Sequence, residues 1–158
     1  MNLKIKNALV SISDKENIIS LLKTFKKYNI KIISSGGTYK TIKKLGYNCT
    51  ELSKFTGFKE MLDGRVKTLH PKIHAGILHD RQNKSHKNEM SKQKFPPIDL
   101  IVVNFYPFQK VVRESKSSKN IIENIDIGGP TMVRAAAKNF KNVTIIPGKK
   151  DYSELIKE

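Results

Sequence analysis

Short apolar runs alternate along the chain with stretches in which apolar positions recur every three or four residues. Ala8–Ile12 is one such run and predicts a buried strand. Ser13-Asp14-Lys15-Glu16 follows it in the form of a capping box, which predicts a helix start. In that helix Ile18, Leu21, Leu22 and Phe25 share one face. Ile30–Ser34 predicts a second strand. Ser35-Gly36-Gly37-Thr38 then turns into a helix that carries Ile42 and Leu45 and stops at Gly46. Asn48–Leu52 predicts a weaker third strand.

Lys54 to Ile77 mixes turn residues with charges and gives no clear element. Asp80 to Pro97 is polar and lysine-rich, which predicts a surface helix. Leu100–Asn104 is a clear strand pattern, and Ile121–Asn124 falls in a short helix. Thr131–Asn139 reads as helical, Val143–Ile146 as a strand, and Tyr152–Ile156 as the start of a final helix. Strand–helix alternation of this kind argues for an α/β fold, a parallel sheet covered on both faces. No repeat or linker divides residues 1–158, so one domain is expected.

Composition narrows the classes. A chain of 158 residues can bury a core without disulfides. No stretch approaches the ~18 apolar residues that a membrane span needs, and the first residues run straight into a strand pattern, leaving no room for a signal peptide. Cys49 is the only cysteine and lacks the spaced companions of a zinc site. A cytoplasmic, soluble protein is expected. The net charge of +16 is the footprint expected of a nucleic-acid binder. Yet only four basic residues are arginines (Arg65, Arg81, Arg113 and Arg134), and the lysines are spread instead of forming one stripe. The charge reads as solvated surface that also attracts an anionic metabolite.

In an open parallel sheet, ligands bind beyond the carboxyl ends of the strands. Four polar clusters fall there: Ser13-Asp14-Lys15, Ser35–Thr38, Asn104-Phe105-Tyr106 and Asp126–Thr131. Ser35-Gly36-Gly37-Thr38 suits a phosphate, because two glycines admit an anion to the backbone amides, two hydroxyls donate, and a helix start follows. A plain strand-to-helix turn uses the same residues. Lys15, at the start of the neighbouring helix, opposes the helix dipole unless an anion sits there.

Asp63-Gly64-Arg65-Val66-Lys67-Thr68-Leu69-His70-Pro71 packs an arginine, a lysine and a threonine between turn residues, and on these residues alone reads as an exposed basic loop. His70 and His74 have the spacing of a metal-binding helix, but Pro71 between them argues against one helix through both. No metal site is expected, and His79 and His86 read as surface residues. Tyr106 precedes Pro107 and serves equally as a packed aromatic. Asp126 and Lys138 flank the predicted helix, and a shared role requires Lys138 to fold back over the site.

Six motifs, in order, carry a resemblance. They are Ser11–Lys15, Ser35–Thr38, Thr56–Met61, Gly64–Pro71, Asn104–Phe108 and Ile125–Asn139. Together they resemble the IMP cyclohydrolase domain family nearly end to end. The resemblance implies a three-layer doubly wound sheet of the methylglyoxal synthase kind. It implies ring closure of formyl-AICAR to IMP, with no metal, nucleotide cofactor or folate, and a homodimer that binds neither nucleic acid nor membrane. Nothing in the chain corresponds to the formyltransferase domain with which this family is often joined.

Carried over residue by residue, the resemblance implies that Ser13, Asp14, Lys15, Ser35, Gly36, Gly37 and Thr38 bind the nucleotide, chiefly its phosphate. Arg65, Val66, Lys67 and Thr68 contact phosphate, ribose or base, with Asn104, Phe105, Asp126 and Ile127 near the heterocycle. For chemistry, Lys138 paired with Asp126 is expected to move a proton. Lys67 with Tyr106 is expected to serve the formyl oxygen and departing water. A non-catalytic phosphate-sensing module of the same fold is the alternative; it needs the phosphate loop but not Lys67, Tyr106, Asp126 and Lys138 together.

Overall fold

The computed structural model describes residues 4–157. Five parallel strands form its one sheet: β1 (Asn7–Ile12), β2 (Lys31–Ser34), β3 (Thr50–Glu51), β4 (Leu100–Asn104) and β5 (Thr144–Ile146), in the order β3-β2-β1-β4-β5. Ala8 lies beside Ile32 on one side and Leu100 on the other, and Leu100 lies beside Thr144.

Both faces of the sheet are covered, which is why β4 reads as an unbroken apolar run. Ala8, Val10, Ile12, Ile32, Leu100 and Val102 face one side. There they meet Ile18, Leu21, Leu22 and Phe25 of α1 (Ile18–Lys27), Ile42 of α2 (Gly36–Lys44) and Tyr152 of α9 (Tyr152–Lys157). The alternate residues Leu9, Ile33, Ile101 and Val103 face the other side. Their partners are Leu52 of α3 (Leu52–Thr56), Ile73 and Ile77 of α4 (Pro71–Leu78), and Met132, Ala135 and Ala136 of α8 (Gly128–Lys138). The period-2 side-chain alternation of a strand thus divides one apolar run between two cores. The three-layer doubly wound α/β arrangement is present.

Three further helices, α5 (Lys84–Lys92), α6 (Phe108–Glu114) and α7 (Ser118–Glu123), bury no residue and add nothing to either core. Just before the amino end of β4, Asp99 is 4% exposed. Its carboxylate accepts from the amides of Lys6 and Asn7 at 2.7 and 2.8 Å and pairs with Arg81 at 2.9 Å.

Three local expectations are corrected. The capping box does not form: α1 starts at Ile18 after Asn17 in left-handed conformation, and no side chain caps it. Ser13 is drawn instead toward β4, and Glu16 pairs with Lys149. The third strand is only two residues long, because Leu52 already begins α3 and packs into the core. The helix expected over Thr131–Asn139 starts already at Gly128, so that Gly128-Gly129-Pro130 forms its first turn, where proline has no amide to lose. The unassigned stretch from Lys54 holds the rest of α3 and an isolated bridge between Met61 and Val66 before α4. His70 caps α4, its Nδ1 accepting from the Lys72 amide at 3.1 Å, while His74 lies within the helix.

Candidate active site

The sheet order reverses around β1: β2 and then β3 lie on one side, β4 and then β5 on the other. A crevice opens at such a switch point beyond the carboxyl ends of the strands. A cavity of about 630 Å³ lies there. Its walls come from the ends of β1 and β4, the start of α2, the 63–68 loop and the residues leading into α8.

The strand ends are tied together before any ligand arrives. Asn104 Oδ1 accepts from the Ser13 hydroxyl at 2.8 Å and the Asp14 amide at 3.1 Å, and its Nδ2 donates to the Asp14 carbonyl at 3.0 Å. The Ser13 hydroxyl also reaches the Phe105 carbonyl at 2.8 Å. Asn104 therefore lines the cavity with an amide already committed to the protein. The same is true of Thr38, whose hydroxyl donates to the Ile12 carbonyl at 2.8 Å and is 95% removed from solvent. Of the two hydroxyls expected to grip a phosphate, Ser35 alone remains, since its side chain makes no cap to α2.

At the start of α2, Gly36 has φ +53°, a left-handed conformation that favours glycine. Lys15 folds back over the end of β1, with its Nζ donating to the Ser13 carbonyl at 2.9 Å. Its ammonium stands 3.9 Å from where a Gly37 Cβ would be. A cation and an uncapped helix start thus face one small volume, which is what an anion requires. Lys15 belongs to the loop before α1, not to the first turn of that helix, so its position follows from β1.

Asp14 does not join this group. Its carboxylate pairs with Lys149 at 2.8 Å, and that hydrogen bond holds it below the usual carboxylate range. Lys149 also pairs with Glu16, and both bonds push its ammonium upward.

Across the cavity stand Arg65, the half-buried Lys67 and Thr68, whose hydroxyl rests so close to Gly128 that a Cβ there would collide with it. Val66 uses its backbone in the bridge to Met61 and is absent from the lining. Tyr106, Asp126 and Ile127 complete the wall. Asp126 Oδ1 accepts from the Gly129 amide at 2.8 Å, so this carboxylate caps α8 from two residues outside it. Phe105 also packs against Gly129, where an added Cβ would lie 3.0 Å from its ring. Phe105 faces a neighbouring groove of about 790 Å³ that Tyr106, Ile125 and Asp126 share with the cavity.

Lys138 is the residue that the fold does not bring in. It ends α8, while Asp126 precedes the helix, and ten rises of 1.5 Å put about 15 Å between Gly128 and Lys138. Lys138 is exposed and lies outside the cavity lining. Its neighbour Asn139 bonds the Ile77 and His79 carbonyls at the far end of α4. Within one chain the expected Asp126–Lys138 pair is not made.

The sequence reading missed Asp63, Ile122, Glu123, Ile125 and Met132, all of which line the cavity. Glu123 pairs with Arg65 across it, a bond that raises the arginine and lowers the carboxyl. A carboxylate at the end of a predicted short helix, against its dipole, was the available signal. His79 is half-buried and not simply a surface residue; burial pushes its imidazole below the usual range. Among the described residues no group of three or more His, Cys, Asp or Glu is disposed to hold a metal, and no helix is long and apolar enough to cross a membrane.

Residues 17–131 match the family described as MGS-like domain. The chain is 52% identical over 153 residues to the bifunctional purine biosynthesis protein PurH of Clostridium perfringens (strain SM101 / Type A), covering 97% of this chain and 30% of that one. It is 48% identical over 153 residues to the protein of the same name from Persephonella marina, again covering 97% and 30%. The chain therefore spans about a third of the length of the curated relatives it matches. Among solved structures, that described as "Crystal structure of ForH" superposes with a TM-score of 0.84 at 30% identity, covering 96% of this chain and 76% of the other.

Proposed function

Because the chain belongs to the MGS-like domain family, we propose that it is an IMP cyclohydrolase that closes formyl-AICAR to IMP. One observation carries this reading: a single cavity holds the Lys15–Ser35–Gly37 anion pocket together with Lys67, Tyr106 and Asp126. A phosphate-sensing module needs the pocket but has no use for the other three. The PurH relatives are named for purine biosynthesis, which supports a purine nucleotide as the ligand.

In this reading Lys15, the Ser35 hydroxyl and the first amides of α2 hold the nucleotide's phosphate. Arg65 and Thr68 hold it from the opposite wall. The carboxamide nitrogen then lies near the formyl carbon, and fixing the two together removes much of the entropic barrier. A carbon–nitrogen bond forms as the nitrogen gives up one proton and the formyl oxygen gains one. The resulting carbinolamine loses that hydroxyl as water, the former formamide nitrogen surrendering its proton, and IMP results. Protonated Lys67 and the Tyr106 hydroxyl donate to the oxygen throughout. The Asp126 oxygen nearest the cavity accepts from the attacking nitrogen, while the bond to Gly129 holds the carboxylate in place.

Lys138 enters this reading only from a second copy of the chain, in keeping with the homodimer expected for the family. Neither a metal nor an organic cofactor takes part, and a cytoplasmic location suits a reaction whose substrate and product are soluble nucleotides. The test is direct. Purified chain supplied with formyl-AICAR, without folate, should form IMP; absence of IMP would overturn the reading.

A further inference from the structure

One ion pair in the cavity lining ties up Arg65 with a carboxylate to which the reaction above gives no role. The Glu123 carboxylate accepts from both Nε and Nη2 of Arg65. That is the edge of a guanidinium with which a phosphate or carboxylate is gripped in bidentate fashion. Both residues line the cavity. They reach it from different segments, Arg65 from the 61–66 turn and Glu123 from the last residue of α7.

Neither partner sits in comfort without the other. Leu62, Asp63 and Gly64 have φ of 53°, 54° and 86°, so two consecutive non-glycine residues hold a left-handed conformation. Main-chain bonds between Met61 and Val66 close the turn at its base, and the Arg65 side chain ties it to α7. Glu123 lies where the helix dipole is negative, a place that suits a cation. The two side chains are 62% and 44% exposed, so water screens the pair and another anion can replace Glu123 at low cost.

Resting on the nucleotide reading given above, we propose that Arg65 and Glu123 form an anion-operated latch. Glu123 occupies Arg65 in the empty site, and the phosphate of the incoming nucleotide takes its place. Glu123 is thus a specificity residue that never needs to touch the ligand. It raises the threshold for any molecule without an anionic group strong enough to capture Arg65.

The experiment is an IMP titration by calorimetry on four proteins: the wild type, Glu123→Gln, Arg65→Gln and the double variant. Amide exchange of residues 61–66 is read on the ligand-free proteins alongside it. Freeing an arginine from an exposed pair should tighten IMP binding about two- to fivefold in Glu123→Gln. No tightening should follow the same change in the Arg65→Gln background, and exchange in the 61–66 turn should quicken in either single variant. Unchanged or weaker binding in Glu123→Gln, or equal tightening without Arg65, overturns the latch. A wild type that binds no IMP counts against the nucleotide reading instead, and the exchange measurement then still decides whether Glu123 holds the turn.

Discussion

Asp126 and Lys138 stand at opposite ends of α8, the first bonded to the Gly129 amide and the second exposed on the last residue. About 15 Å of helix lies between Gly128 and Lys138, more than one lysine side chain can span back along the axis. Whatever the two do together must be done between two chains. Asp126→Asn and Lys138→Ala proteins, each weak alone, should therefore recover activity when unfolded and refolded as a mixture. Random pairing leaves about a quarter of sites with both native residues. A mixture no more active than its components would show that Lys138 does not act across a dimer.

In the proposed reaction Lys15 holds the phosphate in ground state and transition state alike. Lys15→Ala should raise KM by about tenfold or more while kcat changes little, because a uniform contact is lost. Inorganic phosphate and sulfate should compete with the nucleotide in the wild type and much less in this variant. Steady-state kinetics with added phosphate reads both effects, and a fall confined to kcat would contradict the assignment.

Stability should depend sharply on Asp99, remote from the site. Its buried carboxylate satisfies two backbone amides and Arg81. Asp99→Ala leaves both amides without this partner and Arg81 with only the Ile98 carbonyl, and should cost about 3–5 kcal/mol in denaturant unfolding. A loss under 1 kcal/mol would mean that water replaces the carboxylate.

Asp14 should show a pH signature. Its hydrogen bond to Lys149 depresses the folded carboxyl below the unfolded value. The small stabilisation it brings is complete above the ordinary carboxylate range and is lost as pH falls through the depressed folded value. In Lys149→Ala the Asp14 carboxyl should titrate at higher pH, as followed by NMR of its side-chain carbon. No movement would show that the pair is broken in solution.

Much of this was legible in the sequence. The apolar runs marked β1, β2 and β4, and the 3.6-residue period marked the buried face of α1, because burial selects residue type directly. Lys15, Ser35, Gly37, Arg65, Lys67, Thr68, Tyr106 and Asp126 do meet in one cavity, since strand ends converge at a switch point. Which polar groups remain free was not legible. Asn104, Thr38 and Asp14 are consumed by partners 26 to 135 residues away. Local pattern carries no trace of a bond at that range. Nor could spacing alone place Lys138, since twelve residues span a turn or a helix with opposite results.

Ring closure in the cavity at the ends of β1 and β4 is the reaction proposed for this chain. Its most direct test follows IMP formation from formyl-AICAR by the wild type and by Lys67→Ala, both saturated with substrate. Steady IMP production by the wild type is expected, with a rate about 10²–10⁴-fold lower in the variant and IMP binding retained. A wild type that binds IMP yet forms none, or a Lys67→Ala protein of unchanged turnover, would contradict it.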